Sequence, residues 1–191
     1  MDANEPVLSN YASSGLLVLR IVLATIMFFH GTTKLLGWWG GEGLDRASAL
    51  FASQGFRPPR LMAIVASSTE IIGSTLIGCG LLTVLGVAML TGVLTNVAAL
   101  HIHNGLDHRK HGSELELALL AGVVAIGLSG PGRWSLDHLF STPTRTWLGL
   151  VAVAAGVASG FVIVATRDRG LEGQASRITP MAAAREEGTH G

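Results

Sequence analysis

Five apolar runs, at about 15–36, 61–81, 84–103, 114–128 and 147–166, dominate the chain and are separated by segments carrying charge, Gly or Pro. A hydrocarbon core about 30 Å thick needs about 20 mostly apolar residues in a helix, so each run predicts a membrane-spanning helix. The fourth is the shortest. Its apolar part, 115–128, reaches spanning length only if Glu114 and Glu116 lie inside the bilayer, and a helix buried in the bundle core is the competing expectation. Between Trp38-Trp39 and Pro58-Pro59, the residues Leu44, Ala47, Leu50 and Phe51 recur at helical spacing. That pattern predicts a short helix lying in the membrane interface, or a lid over a lateral opening. The expected fold class is all-α integral membrane. It comprises a leader over 1–14, a four-helix transmembrane bundle over 15–140 with the interfacial segment 37–60, a fifth C-terminal transmembrane helix within 141–166, and a tail over 167–191.

Composition points the same way. Apolar residues make up 49% of the 191 and charged residues 14%, with a mean hydropathy of +0.49, a balance unsuited to a surface wetted all round. The leader carries Asp2 and Glu5, no basic residue, and no small-residue cleavage site follows, so the first run is expected to remain as a helix. Five spans place Lys34, Arg46, Arg57, Arg60, Arg109, Lys110, Arg167, Arg169, Arg177 and Arg185 on one side, against Arg133 and Arg145 on the other. Cytoplasmic flanks carry the excess of Lys and Arg, which predicts a cell-membrane protein with its N-terminus outside and its C-terminus in the cytoplasm. The tail, mixed in charge and poor in large apolar residues, is expected to be disordered. Zero net charge with dispersed basic residues offers no nucleic-acid footprint. Cys79 has no partner in the chain, so neither an internal disulfide nor thiol exchange by the chain alone is expected.

Ionisable groups inside a bilayer are costly and turn toward the bundle interior or toward one another, so they mark the candidate site. On the first helix Arg20, Met27, Lys34 and His30 fall within an arc of about 80° at 100° per residue, one inward face. Glu70 lies near the middle of the second helix. Asn96 and His103, seven residues apart, share a face of the third. Glu114 and Glu116 at the start of the fourth lie about 200° apart and cannot face the same place. A rise of about 1.5 Å per residue sets His30, Glu70, Asn96 and one of the two glutamates between mid-bilayer and the cytoplasmic interface. Arg20, His30 and Lys34 are the cations expected to answer Glu70, because a buried carboxylate needs one to stay ionised. Two readings stay open for this convergence: a network that only fixes helix packing, and a pocket that handles protons or a polar headgroup.

Several of these residues carry a family resemblance. The stretch Phe29-His30-Gly31-Thr32-Thr33-Lys34-Leu35 resembles the signature that closes the first helix of the DoxX family of small membrane proteins. Glu70, followed by Gly78, Gly80 and Leu81-Leu82-Thr83, is similar to the family's second helix, and Asn104-Gly105 to its third. Gly130-Pro131-Gly132-Arg133-Trp134-Ser135-Leu136-Asp137 resembles its terminal motif, and Glu114 falls where the family commonly has a glutamate. The resemblance covers about 15–140 and describes four spans, leaving the fifth helix and the tail outside it. It implies a redox setting, since members resemble the membrane subunit of an archaeal thiosulfate:quinone oxidoreductase. A mycobacterial relative is associated with superoxide dismutase and a sulfurtransferase.

On that implication a quinone headgroup docks among the first four helices. His30 or Glu70 exchanges its protons, Glu114 assists, and Arg20 or Lys34 holds Glu70 ionised, with Asn96, His103 and Asn104 as further binding candidates. The sequence shows no flavin, haem or iron–sulfur motif, so a quinone-binding or anchoring subunit fits better than a complete enzyme. The alternative is a non-catalytic scaffold or a small-solute transporter with a structural polar core. His101, His103, His108 and His111 crowd eleven residues, yet an HxH pair does not share a helical face, so polar loop residues are favoured over a metal site. Gly156 and Gly160 give the fifth helix a GxxxG face suited to close packing within the chain or with a second copy.

Overall fold

The computed structural model describes residues 5–102, 105–106, 112–142 and 145–168, with side chains from residue 10 on. Its regular structure among these residues is entirely helical, in seven helices: α1 (Glu5–Leu36), α2 (Gly43–Ser53), α3 (Pro59–Cys79), α4 (Thr83–His101), α5 (Glu114–Ser129), α6 (Leu136–Leu139) and α7 (Thr146–Ala165). Residues 5–14, set apart above as a leader, form the opening turns of α1. Nothing between Pro6 and Gly15 breaks a helix, and Pro6 sits in the first turn, where its missing N–H costs least. Proline also opens α3, and Gly80 closes it in the left-handed region at φ 63°.

Four helices are long and apolar enough to cross a membrane: α1 over Asn10–Leu36, α3, α4 and α7. The C-terminal apolar run is therefore one of the four. The helix that falls short is α5, whose 16 residues extend only about 24 Å. It nonetheless runs from one end of the bundle to the other. Near its start Glu116 bonds His101 at the end of α4, and just past its end Pro131 bonds Arg20 of α1.

The core draws on all five long helices, through Leu23, Met27, Ile77, Val87, Leu90, Leu94, Leu119, Val123, Ile126 and Ala152. Apolar side chains face lipid as readily as core, so close approach between helices falls to small residues. A Cβ on Gly156 would come within 2.6 Å of Thr91 Cβ, and one on Gly160 within 2.7 Å of the Gly92 carbonyl oxygen. The GxxxG face is thus taken by α4 of the same chain, and a homo-oligomer through that face, the other expectation, would have to displace it.

The short helix expected within 37–60 is α2, which buries Ala47 and leaves Leu50 exposed. The preceding turn, Trp38–Gly40, folds back so that Trp39 stacks on Phe29 with ring centroids 5.3 Å apart. The end of α7 is fastened to the same region. The Asp168 N–H donates to the Gly55 carbonyl at 2.9 Å, and the Arg167 guanidinium lies 6.0 Å from the Phe56 ring centroid. The first two residues of the expected tail therefore belong to the folded body, and 169–191 lie outside the described residues.

Candidate functional site

Arg20 and Lys34 share a face of α1, but they sit 14 residues and so about 21 Å apart along it. They serve opposite ends of the bundle. Arg20 is 1% exposed. Its Nε donates to the Ile77 carbonyl at 2.8 Å, Nη2 to Gly78 at 2.9 Å, and Nη1 to Pro131 at 2.8 Å and Trp134 at 2.9 Å. Two of those carbonyls belong to the last turn of α3, which a helix leaves without internal partners and which carries the negative end of its dipole. Asp137 does the complementary work on α4. It is buried, and its Oδ1 and Oδ2 accept the Leu82 and Thr83 N–H groups at 2.8 and 2.9 Å, capping the helix start. Its own N–H donates to the Gly80 carbonyl at 2.7 Å. Arg20 and Asp137 attract each other electrostatically across this knot. A side chain at Gly80 would collide with the Arg20 guanidinium, a second reason besides its φ for glycine there.

The expectation that Arg20 answers Glu70 is therefore corrected. A shared helical face fixes direction, not level, and the level of Arg20 is that of the α3–α4 turn. The sequence reading has Asp137 only as the last residue of a family motif, because its partners lie 54 and 55 residues away along the chain.

At the other end the expected groups do come together. The Lys34 ammonium donates to Glu70 Oε1 at 2.7 Å, with the lysine side chain 33% exposed and the glutamate 3%. Gly31 makes the approach feasible: a Cβ there would stand 2.9 Å from the Ser67 carbonyl oxygen and 3.1 Å from Glu70 Cβ, so α1 and α3 meet almost backbone to backbone. His30 is half-buried and within electrostatic reach of Lys34, Glu70 and Glu116. Glu116 Oε1 lies 3.1 Å from His101 Nδ1. Helices α1, α3, α4 and α5 each contribute to this cluster.

Several of its polar atoms are idle. Glu70 Oε2, Glu116 Oε2, Ser67 Oγ and Asn96 Nδ2 are buried without hydrogen-bond partners. Gly73 packs on Leu90 across α3 and α4. In that antiparallel register Asn96, six residues on, reaches the level of Ser67, six residues back.

Of the two glutamates opening α5, Glu116 faces the cluster, whereas Glu114 is exposed, which corrects the choice of Glu114 as the assisting group. Among the described residues no group of three potential metal ligands occurs. His101 is engaged with Glu116, and His103, Asn104, His108 and His111 lie outside the described residues. Cys79 is exposed, with a free thiol.

A cavity of about 640 Å³ opens at the Arg20 end, not beside Glu70, bounded by α1, α4, α5, the 130–142 segment and α7.

Residues 15–104 match the profile of the family described as DoxX. The match takes in α1 from Gly15, α2, α3 and α4 and contains His30, Lys34, Glu70 and Asn96. It stops short of Glu116 and of the Gly130-to-Asp137 motif. No curated protein and no solved structure matches the chain.

Proposed function

Because residues 15–104 belong to the DoxX family, we propose that the protein is a redox-linked membrane subunit whose Lys34–Glu70 pair exchanges protons with a quinone-class carrier. One observation carries the reading. Glu70 is a membrane-buried carboxylate with one oxygen bonded to Lys34 while the other has no partner. Packing alone gives no reason to leave that oxygen idle, since a buried acceptor without a donor costs about 1–3 kcal/mol.

The residues fit a quinone headgroup, whose carbonyl oxygens need donors in a dry setting. Asn96 Nδ2 is buried with nothing to donate to, and Lys34 can turn from Glu70 toward an incoming acceptor. A quinone, when bound, supplies the two-electron, two-proton chemistry. Glu70 Oε2 is the acceptor for a proton on the carrier's oxidation and its source on reduction. His30 is within electrostatic reach of this pair and of Glu116, which supports a proton route through His30 toward the Glu116–His101 contact, where α4 ends and α5 starts. Electrons come from a redox partner protein. The excess of Lys and Arg at the Lys34 end supports placing it on the cytoplasmic side of the cell membrane.

The test is quinone content by mass spectrometry on protein extracted with its native lipid, against an unrelated five-helix protein from the same membrane. Near-stoichiometric quinone, lost in Glu70→Gln protein that stays folded, is the expected result. Quinone no higher than in the control overturns it. A scaffold is the second reading, favoured by the fully satisfied Arg20–Asp137 knot. It expects Glu70→Gln to alter stability alone.

A further inference from the structure

The cavity at the Arg20 end belongs neither to the knot nor to the Lys34–Glu70 cluster, and its lining is divided. Its inner wall is apolar, with Leu16 of α1, Val84 and Val87 of α4, and Ile126 of α5. Its mouth carries Arg133 and Arg145. Neither arginine is in a salt bridge among the described residues. Arg133 donates to the neutral Asn10 Oδ1 at 2.9 Å, so that bond brings it no opposite charge. The one carboxylate in the lining, Asp137, has both oxygens committed to the start of α4. Among the described residues the mouth is therefore net positive.

Two further features border the cavity. The first turn of α7, at Thr146, lines the cavity directly after Arg145, and that helix start has no side-chain cap, so the positive end of its dipole borders the space. Independently, Thr83 lines the cavity, is 2% exposed, and its Oγ1 has no hydrogen-bond partner.

We propose that this cavity binds one anionic phospholipid. The phosphate is held by Arg133, Arg145 and the first turn of α7, and the upper part of an acyl chain lies along Leu16, Val84, Val87 and Ile126. The chemistry recognised is a phosphoester anion next to an apolar chain, and about 640 Å³ is room for both. The location agrees. The lining reaches from the helix ends about one and a half turns inward, to Val87 on α4, which is the depth at which headgroups give way to hydrocarbon. Thr83 Oγ1 supplies a hydrogen bond to the ester region at the bend between the two.

The experiment is native mass spectrometry of the full chain in detergent, titrated with phosphatidylglycerol, with phosphatidylcholine, or with inorganic phosphate as competitor. Wild-type protein retains one phosphatidylglycerol in preference to phosphatidylcholine by about tenfold or more. The Arg133→Gln/Arg145→Gln protein loses that preference. Thr83→Val lowers phosphatidylglycerol retention several-fold without loss of thermal stability, since it removes a hydroxyl that bonds to nothing in the protein. Equal retention of the two lipids, or retention unchanged in the double variant, overturns the proposal. Displacement of phosphatidylglycerol by inorganic phosphate at equal concentration overturns the lipid assignment and gives the site to the free anion.

Discussion

At one end of α1 the Arg20 guanidinium donates to four carbonyl oxygens on two separate segments, and its charge partner Asp137 uses both oxygens on backbone N–H groups. At the other end the Lys34 ammonium has one carboxylate oxygen as partner, is a third exposed, and leaves the second oxygen of Glu70 idle. Both are buried charge pairs in a medium that penalises charge. The first pair never meets directly; it is wired through the backbone of the α3–α4 turn, so neither side chain can move without releasing that turn. The second pair meets side chain to side chain, and one member can reach water. Saturation suits a fastener, and an idle oxygen beside a part-exposed lysine suits a group that gains and loses protons.

Removing Arg20 should break the comparison hardest. Arg20→Met leaves four carbonyls and a buried aspartate uncompensated, and breaking a buried pair costs about 3–5 kcal/mol. Denaturant unfolding in a fixed detergent should show that loss, with the α3–α4 turn opening first by hydrogen exchange. A loss under about 1 kcal/mol would mean that the knot is not what fastens the turn.

The next effect is smaller and asymmetric. Lys34→Met strands the carboxylate of Glu70 where water cannot reach it. Glu70→Gln frees a lysine that can snorkel to the interface. We expect about 2 kcal/mol for the first, discounted from a fully buried pair because Lys34 is part exposed, and about 1 kcal/mol or less for the second. The order of the two unfolding midpoints is the measurement. Equal losses would show that Lys34 is as confined as Arg20 and would remove the distinction between the ends.

Much of this arrangement is legible in the chain itself. Apolar runs locate the long helices to within a few residues, apart from the start of α1, because bilayer thickness fixes how long such a run must be. Helical periodicity puts His30 and Lys34 on one inward face, and cost inside the membrane singles out Glu70. Periodicity reports direction around a helix and says nothing of what stands at each level, so Arg20 was assigned to the wrong end of its own face. Asp137 is legible only as the end of a family motif, since its role depends on a contact with α4 made after the chain has crossed the bundle twice more. The partner of the Gly156–Gly160 face was equally hidden, because a small-residue stripe fits α4 and a second copy alike, and only the fold puts Gly92 against it.

The two glutamates at the start of α5 give the smallest effect and the sharpest test of which groups belong to the open end. They lie two residues apart, so a helix must turn them to different surroundings whatever the fold, and either could have been the inward one. In the structure Glu114 is exposed, while Glu116 holds His101 at 3.1 Å and stands within electrostatic reach of His30. Glu114→Gln should therefore leave stability within about 0.5 kcal/mol and proton exchange unchanged. Glu116→Gln keeps an acceptor for His101 but removes the charge, so its stability cost is also small, about 1 kcal/mol or less. Its effect falls on rate: quinone-linked proton uptake in reconstituted vesicles should slow by about tenfold or more, within the range that a positioned acid–base group contributes. If both variants exchange protons at the wild-type rate, the path from Glu70 does not run through His30 and Glu116, and the exit must lie along the exposed side of Lys34. The two ends of α1 would then differ only in that one contact with water.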